Sequence, residues 1–77
     1  MNIKLYGADW CSDCVNAKSL LHSKGLDFEY IVITKNNSAI EFLEKVNKGK
    51  RTIPVIVING KTYINPGIKE LIKIITE

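Results

Sequence analysis

Apolar residues recur along the chain in two rhythms. Ile3 and Leu5 alternate with their neighbours in a short stretch that stops at Gly7, the period of a strand. From Cys11 to Lys24 the spacing becomes helical, with Cys14, Ala17 and Leu21 on one face and Leu20 alongside. Gly25 follows as a helix-ending residue, and Lys24 lies in the last turn, where a helix favours a cation. Phe28 to Ile33 is aromatic and β-branched, which predicts a second strand.

Asn36 and Asn37 mark a loop, and Ser38-Ala39-Ile40-Glu41 matches a capping box that opens a second helix. Ile40, Leu43 and Val46 share its apolar face, with Phe42 beside them, and Gly49 ends it. Ile53 to Ile58 reads as a third strand, Asn59-Gly60 as a two-residue hairpin turn of the I′ type, and Lys61 to Ile64 as the returning strand. Asn65 then serves as N-cap and Pro66 as first residue of a last helix, whose apolar face is Ile68, Leu71, Ile72 and Ile75. The order is β-α-β-α-β-β-α across residues 1–77, with no linker or internal repeat, so one domain is expected. The first β-α-β unit requires a right-handed crossover between parallel strands, and the hairpin adds antiparallel ones. The expected fold class is therefore α/β, a four-stranded mixed sheet with three helices covering both faces.

Composition narrows the function classes. At 77 residues the core is thin, and a bridge closing so short a loop as Cys-x-x-Cys would add little stability. The net charge is +3, and the only basic cluster is Lys48, Lys50 and Arg51. No aromatic residues interleave with a basic stripe, so no nucleic-acid partner is expected. No apolar run approaches membrane-spanning length and no signal-like segment is seen, so a cytoplasmic protein away from the membrane is expected.

The chemistry concentrates in Trp10-Cys11-Ser12-Asp13-Cys14, which contains both cysteines of the chain. Cys11 falls where the first helix begins, at amides without intrahelical partners and at the positive end of the macrodipole, so a thiolate there is stabilised. Cys14 lies nearly one turn further on, within reach of the Cys11 sulfur but deeper. Cys11 is thus the candidate nucleophile and Cys14 the candidate resolving thiol. Zinc would need four ligands, and the one histidine, His22, stands eight residues past Cys14 without ligand spacing, so no metal site is assigned. A zinc site shared across a dimer and two inert, buried cysteines are the other readings of the pair.

With these residues in view, the chain resembles the glutaredoxin family within the thioredoxin fold. The resemblance rests on Trp10 to Cys14 between strand and helix, on Arg51-Thr52-Ile53-Pro54, and on the Asn59-Gly60 hairpin before a last helix, in the family's order and spacing. Among relatives the pattern is most similar to small mycoredoxin-like redoxins and, in part, to the redoxins that serve ribonucleotide reductase. The resemblance implies a dithiol thiol–disulfide oxidoreductase that reduces protein or low-molecular-weight-thiol mixed disulfides. It implies a cis Pro54 facing the cysteines, an Ile53 backbone that pairs with the substrate, and Arg51 with Thr52 anchoring a carboxylate. Disulfide-containing proteins would be its substrates, and a thiol or a thioredoxin-reductase-type partner its reductant. It implies a monomer with no bound cofactor, glutathione or another small thiol serving as co-substrate. The glutathione site is half present: Ala8 replaces a lysine, and Ile64 to Lys69 offers no carboxylate for an ammonium group, whereas Arg51 and Lys50 remain. The alternative is an iron–sulfur carrier bridged by Cys11 of two protomers, which Ser12 keeps open.

Asp13 in the first helical turn favours the helix by about 0.3–1 kcal/mol, yet its carboxylate opposes a neighbouring thiolate. With Ser12 it is expected to tune the pair toward a comparatively reducing disulfide; a solvated cap or a filter against acidic partners are the other readings. Trp10 suits a docking surface or packing beneath the loop. Tyr6 suits a substrate contact or the core.

Overall fold

A computed structural model describes residues 2–50 and 52–76. The elements are β1 (Ile3–Gly7), α1 (Ser12–Ser23), β2 (Glu29–Val32), a 3₁₀ turn (Ile33–Lys35), α2 (Asn37–Val46), β3 (Val55–Ile58), β4 (Lys61–Ile64) and α3 (Ile68–Thr76). The order across the sheet is β2-β1-β3-β4, with β1 parallel to β2 and antiparallel to β3, and β3 antiparallel to β4. This is the expected mixed sheet.

Strand alternation sends apolar side chains to both faces. Ile3 and Leu5 of β1 and Ile56 and Ile58 of β3 meet Ala17 and Leu21 of α1 and Leu71 of α3 on one side. Val55 meets Ile33, Ala39 and Leu43 on the other, where α2 packs, with Tyr6, Ile31 and Ile53 at its margin. The three helices thus cover both faces of the sheet.

Local chemistry accounts for most element ends. Gly25, at φ +68°, donates its N–H to the His22 carbonyl while Leu26 donates to Leu21, the bond pair of a Schellman end to α1. Asn59 and Gly60 have φ of +51° and +86°, as a type I′ hairpin requires, and Asn59 exchanges hydrogen bonds with the backbone of Asn2.

Several boundaries differ from the sequence expectation. The N-cap of α2 is Asn36, whose Oδ1 accepts the Ala39 N–H at 3.0 Å, so Ser38 lies inside the helix and makes no capping box. Asn36 wins because the 3₁₀ turn over Ile33–Lys35 delivers it in extended geometry two residues earlier. At the other end, α2 stops at Val46 with Asn47 as C-cap; the left-handed residue that follows is Lys48 (φ +56°), one before the expected glycine, and Gly49 donates to the Glu44 carbonyl. β2 is shorter than expected because Ile33 turns into the 3₁₀ segment, and Phe28 stands outside it. Ile53 and Pro54, joined by a cis peptide bond, precede β3 rather than opening it.

Asn65 is not the N-cap of α3. It adopts φ +47° and donates its N–H to the Pro54 carbonyl at 2.7 Å, so the helix starts only at Ile68, with Leu71 N–H bonded to the Gly67 carbonyl. The late start leaves Ile68 exposed rather than on the buried face and brings Glu70 into the first turn.

The capping assignment has a direct test. Asn36→Ala removes the acceptor for Ala39 N–H and is expected to cost about 0.5–2 kcal/mol in urea unfolding, whereas Ser38→Ala is expected to change stability by only a few tenths. Equal losses would return the cap to Ser38.

Candidate redox site

Cys11 caps α1 with its sulfur. Its backbone is extended (φ −95°, ψ 111°), its carbonyl accepts the Val15 N–H, and its Sγ accepts the Cys14 N–H at 3.2 Å. A hydroxyl or carboxamide usually occupies this position; here a sulfur lies where the helix favours negative charge. Cys11 is partly exposed, while Cys14 is fully buried, and both are free thiols.

Cys14 reaches this depth because Gly7 has no side chain. A Cβ on Gly7 would lie 2.9 Å from both the Cβ and the Sγ of Cys14, and 3.4 Å from Cε1 of Tyr30. The first turn of α1 therefore rests directly on the last residue of β1. Burial, first, and the hydrogen bond to Cys11, second, push the Cys14 thiol up to about 12; the charges of Cys11 and Asp13 add to this, and a hydrogen bond from the Ala8 backbone works against it.

The antiparallel register pairs Tyr6 with Val55, which sets Pro54 opposite Gly7 at the same end of the sheet. Pro54 is fully buried and its bond to Ile53 is cis, in keeping with the family resemblance. Cys14, Gly7 and Pro54 thus lie at the same end of the sheet, where β1 ends. Thr52 is half-buried, and its carbonyl accepts the Asn47 side-chain N–H at 3.4 Å, tying the segment to the end of α2. Ile53 packs its side chain into the α2-side cluster. Arg51 lies outside the described residues.

Trp10 is 74% exposed beside Cys11, which removes the reading in which it packs under the loop. Tyr6 stacks on Phe42 with ring centroids 4.8 Å apart, on the α2 side of the sheet, and so completes the core. Ser12 and Asp13 are exposed in the first turn of α1; Asp13 is the last and smallest of the influences raising Cys14. His22 is exposed on the outer face of α1, in a shallow groove of about 440 Å³ that also takes in Val15, Lys18 and Phe28 but neither thiol. Among the described residues no group of three or more His, Cys, Asp or Glu could hold a metal ion, and no helix is long and apolar enough to cross a membrane.

Three neighbours of the pair carry no motif in the sequence: Gly7 reads there only as a strand end, Tyr30 borders the same space above Gly7, and Lys18 lies over the Tyr30 ring. A tyrosine in β2 and a lysine one turn after Cys14 were visible as residue types, but their meeting depends on the β1–β2 crossover.

The glutaredoxin family model matches residues 3–64. The chain belongs to the glutaredoxin family. It is 35% identical over 75 residues to mycoredoxin 1 of Corynebacterium glutamicum, covering 92% of this chain and 89% of that protein. Among solved structures it is similar to the glutaredoxin of Archaeoglobus fulgidus (TM-score 0.78, 28% identity, 97% of this chain and 86% of that one). It is also similar to the glutaredoxin-like NrdH-redoxin of Escherichia coli, described as having a thioredoxin-like activity profile (TM-score 0.71, 28% identity, 83% and 82%). This is a thioredoxin-like fold carrying a glutaredoxin-type Cys11-x-x-Cys14 pair.

Gly7→Ala tests the packing beneath the pair. The added methyl meets the Cβ of Cys14 as well as its mobile sulfur, so the helix itself must shift, and a loss of about 1–3 kcal/mol in urea unfolding is expected. An unchanged midpoint would show that α1 does not rest on β1 this closely.

Proposed function

We propose that this protein is a dithiol thiol–disulfide oxidoreductase in which Cys11 attacks and Cys14 resolves. The observation that supports it is the inequality of the two thiols: Cys11 caps α1 at the surface, accepting the Cys14 N–H, while Cys14 lies buried over Gly7.

In the first step the Cys11 thiolate attacks one sulfur of a substrate disulfide. A bond forms between Cys11 and that sulfur, the substrate S–S bond breaks, and the other half leaves as a thiolate that takes a proton. In the second step Cys14 gives up its proton and attacks the Cys11 sulfur. The Cys11–Cys14 disulfide forms, the bound half departs as a thiol, and two electrons have passed to the substrate. An external thiol or a reductase returns two electrons to the protein.

The electrostatics time the second step. Before attack, the hydrogen bond and the charge of Cys11 both help to keep Cys14 protonated. In the mixed disulfide Cys11 no longer carries charge or accepts that proton, while the opposing Ala8 hydrogen bond remains. Cys14 therefore ionises more readily at the moment its thiolate is needed.

Pro54, with the backbone of Ile53, forms the rest of the docking face, and exposed Trp10 covers a flanking part of the substrate. Thr52 and Arg51, with exposed Lys50, anchor a carboxylate on the small-thiol or protein substrate. Exposed Asp13 biases the pair toward a stable disulfide and hence a reducing potential.

The tests are chemical. Cys14→Ser is expected to accumulate a mixed disulfide on Cys11 by mass spectrometry, and Cys11→Ser to reduce no disulfide. Turnover by Cys11→Ser would overturn the assignment. In glutathione buffers the pair is expected to equilibrate near or below the thioredoxin value of about −270 mV with no adduct trapped. A value of about −200 to −230 mV with glutathione on Cys11 would instead make it a glutathione-driven glutaredoxin.

A further inference from the structure

Tyr30 stands beside the redox pair without belonging to the motif. It lies opposite Leu5 in the parallel β1–β2 register, so its side chain shares the face of the sheet on which α1 packs. Its ring reaches along β2 to the open face of Gly7, where Cε1 comes within 3.4 Å of the point that a Cβ would occupy. The Cys14 sulfur lies 2.9 Å from that same point. Ring and thiol therefore flank one small space above a glycine.

The ring is held at its hydroxyl and over its face. Its hydroxyl donates a long hydrogen bond, 3.5 Å, to Oδ1 of Asp9, two residues before Cys11. The Lys18 ammonium, one turn after Cys14, lies 4.6 Å from the ring centroid, within cation–π range. One side chain of β2 thus touches the segment before the redox pair and the helix after it. Burial is the largest influence raising Tyr30, followed by the Asp9 charge, and both thiols add to it, so the hydroxyl is neutral near neutral pH.

Resting on the redox function proposed above, we propose that Tyr30, clamped between Asp9 and Lys18, is a positioning residue that closes Cys14 off from water on the β2 side. Cys14 is fully buried although it lies only three residues past a partly exposed cysteine at a helix start. Gly7 forms the floor of its site, and the Tyr30 ring is the adjacent wall. The ring thereby contributes to the burial that keeps Cys14 from attacking before Cys11 has been engaged.

The test reads Cys14 alone. In a Cys11→Ser background, the rate of Cys14 alkylation is measured against pH, with urea unfolding in parallel. Among the described residues, Asp13 of α1 then acts on Cys14 directly, Tyr30 of β2 borders it across Gly7, and Asp9 and Lys18 face the tyrosine. Tyr30→Val keeps a strand-forming residue but is too short to reach over Gly7. It is expected to lower the Cys14 midpoint by about one pH unit, equivalent to about tenfold faster alkylation below the midpoint. Tyr30→Phe keeps the ring and is expected to leave the midpoint in place. A folded Tyr30→Val protein that loses stability but keeps the midpoint and rate would overturn the proposal and reduce Tyr30 to packing. If Tyr30→Val does not fold, Tyr30→Leu serves under the same criteria. Failure of the redox function would show separately, as a wild-type chain that forms no Cys11–Cys14 disulfide and reduces no substrate.

Discussion

The contact between Cys14 and the bare backbone of Gly7 is the constraint from which the rest of the site follows. Any side chain at Gly7 would meet Cys14 at 2.9 Å, so only a glycine lets the first turn of α1 settle onto the end of β1 at this distance. Settled there, the helix buries its third residue and leaves its cap at the surface. The cap is a cysteine, and its sulfur takes the role of the side-chain acceptor that a helix start requires. Two identical functional groups three residues apart acquire different environments from one packing decision.

The sheet carries the same logic outward. Because β3 runs antiparallel to β1 with Tyr6 opposite Val55, the residue opposite Gly7 is Pro54, and the cis bond before it lies at the same end of the sheet as the thiols. Asn65 donates to the Pro54 carbonyl and so fixes the start of α3 to this end as well. The elements that complete the site therefore converge through backbone register and backbone hydrogen bonds, while the side chains of Trp10, Ser12 and Asp13 stand exposed around the pair. No buried charged or polar side chain is found among the described residues, so the burial that raises Cys14 comes from apolar packing.

Much of this was legible in the chain. The alternation of strand and helix periods foretold the element order, the Asn59-Gly60 turn appeared as read, and the cysteine spacing placed one thiol at a helix start and one beneath it. What escaped depends on distance in space. Asn36 and Ser38 are both good caps, and only the 3₁₀ turn before them decides between them. Asn65 and Pro66 carry the residue types of a helix start, yet the pull of the Pro54 carbonyl holds Asn65 in a left-handed turn and delays α3. Gly7 and Tyr30 matter because they meet Cys14 across the sheet, which no periodicity in one dimension reveals.

If position alone decides, Cys11 is the attacking thiol and Cys14 the concealed one. The most direct measurement treats the fully reduced wild-type protein near neutral pH with less than one equivalent of an alkylating reagent and maps the label by peptide mass spectrometry. Label is expected on Cys11, with Cys14 left unmodified. Label divided evenly between the two, or found first on Cys14, would contradict it.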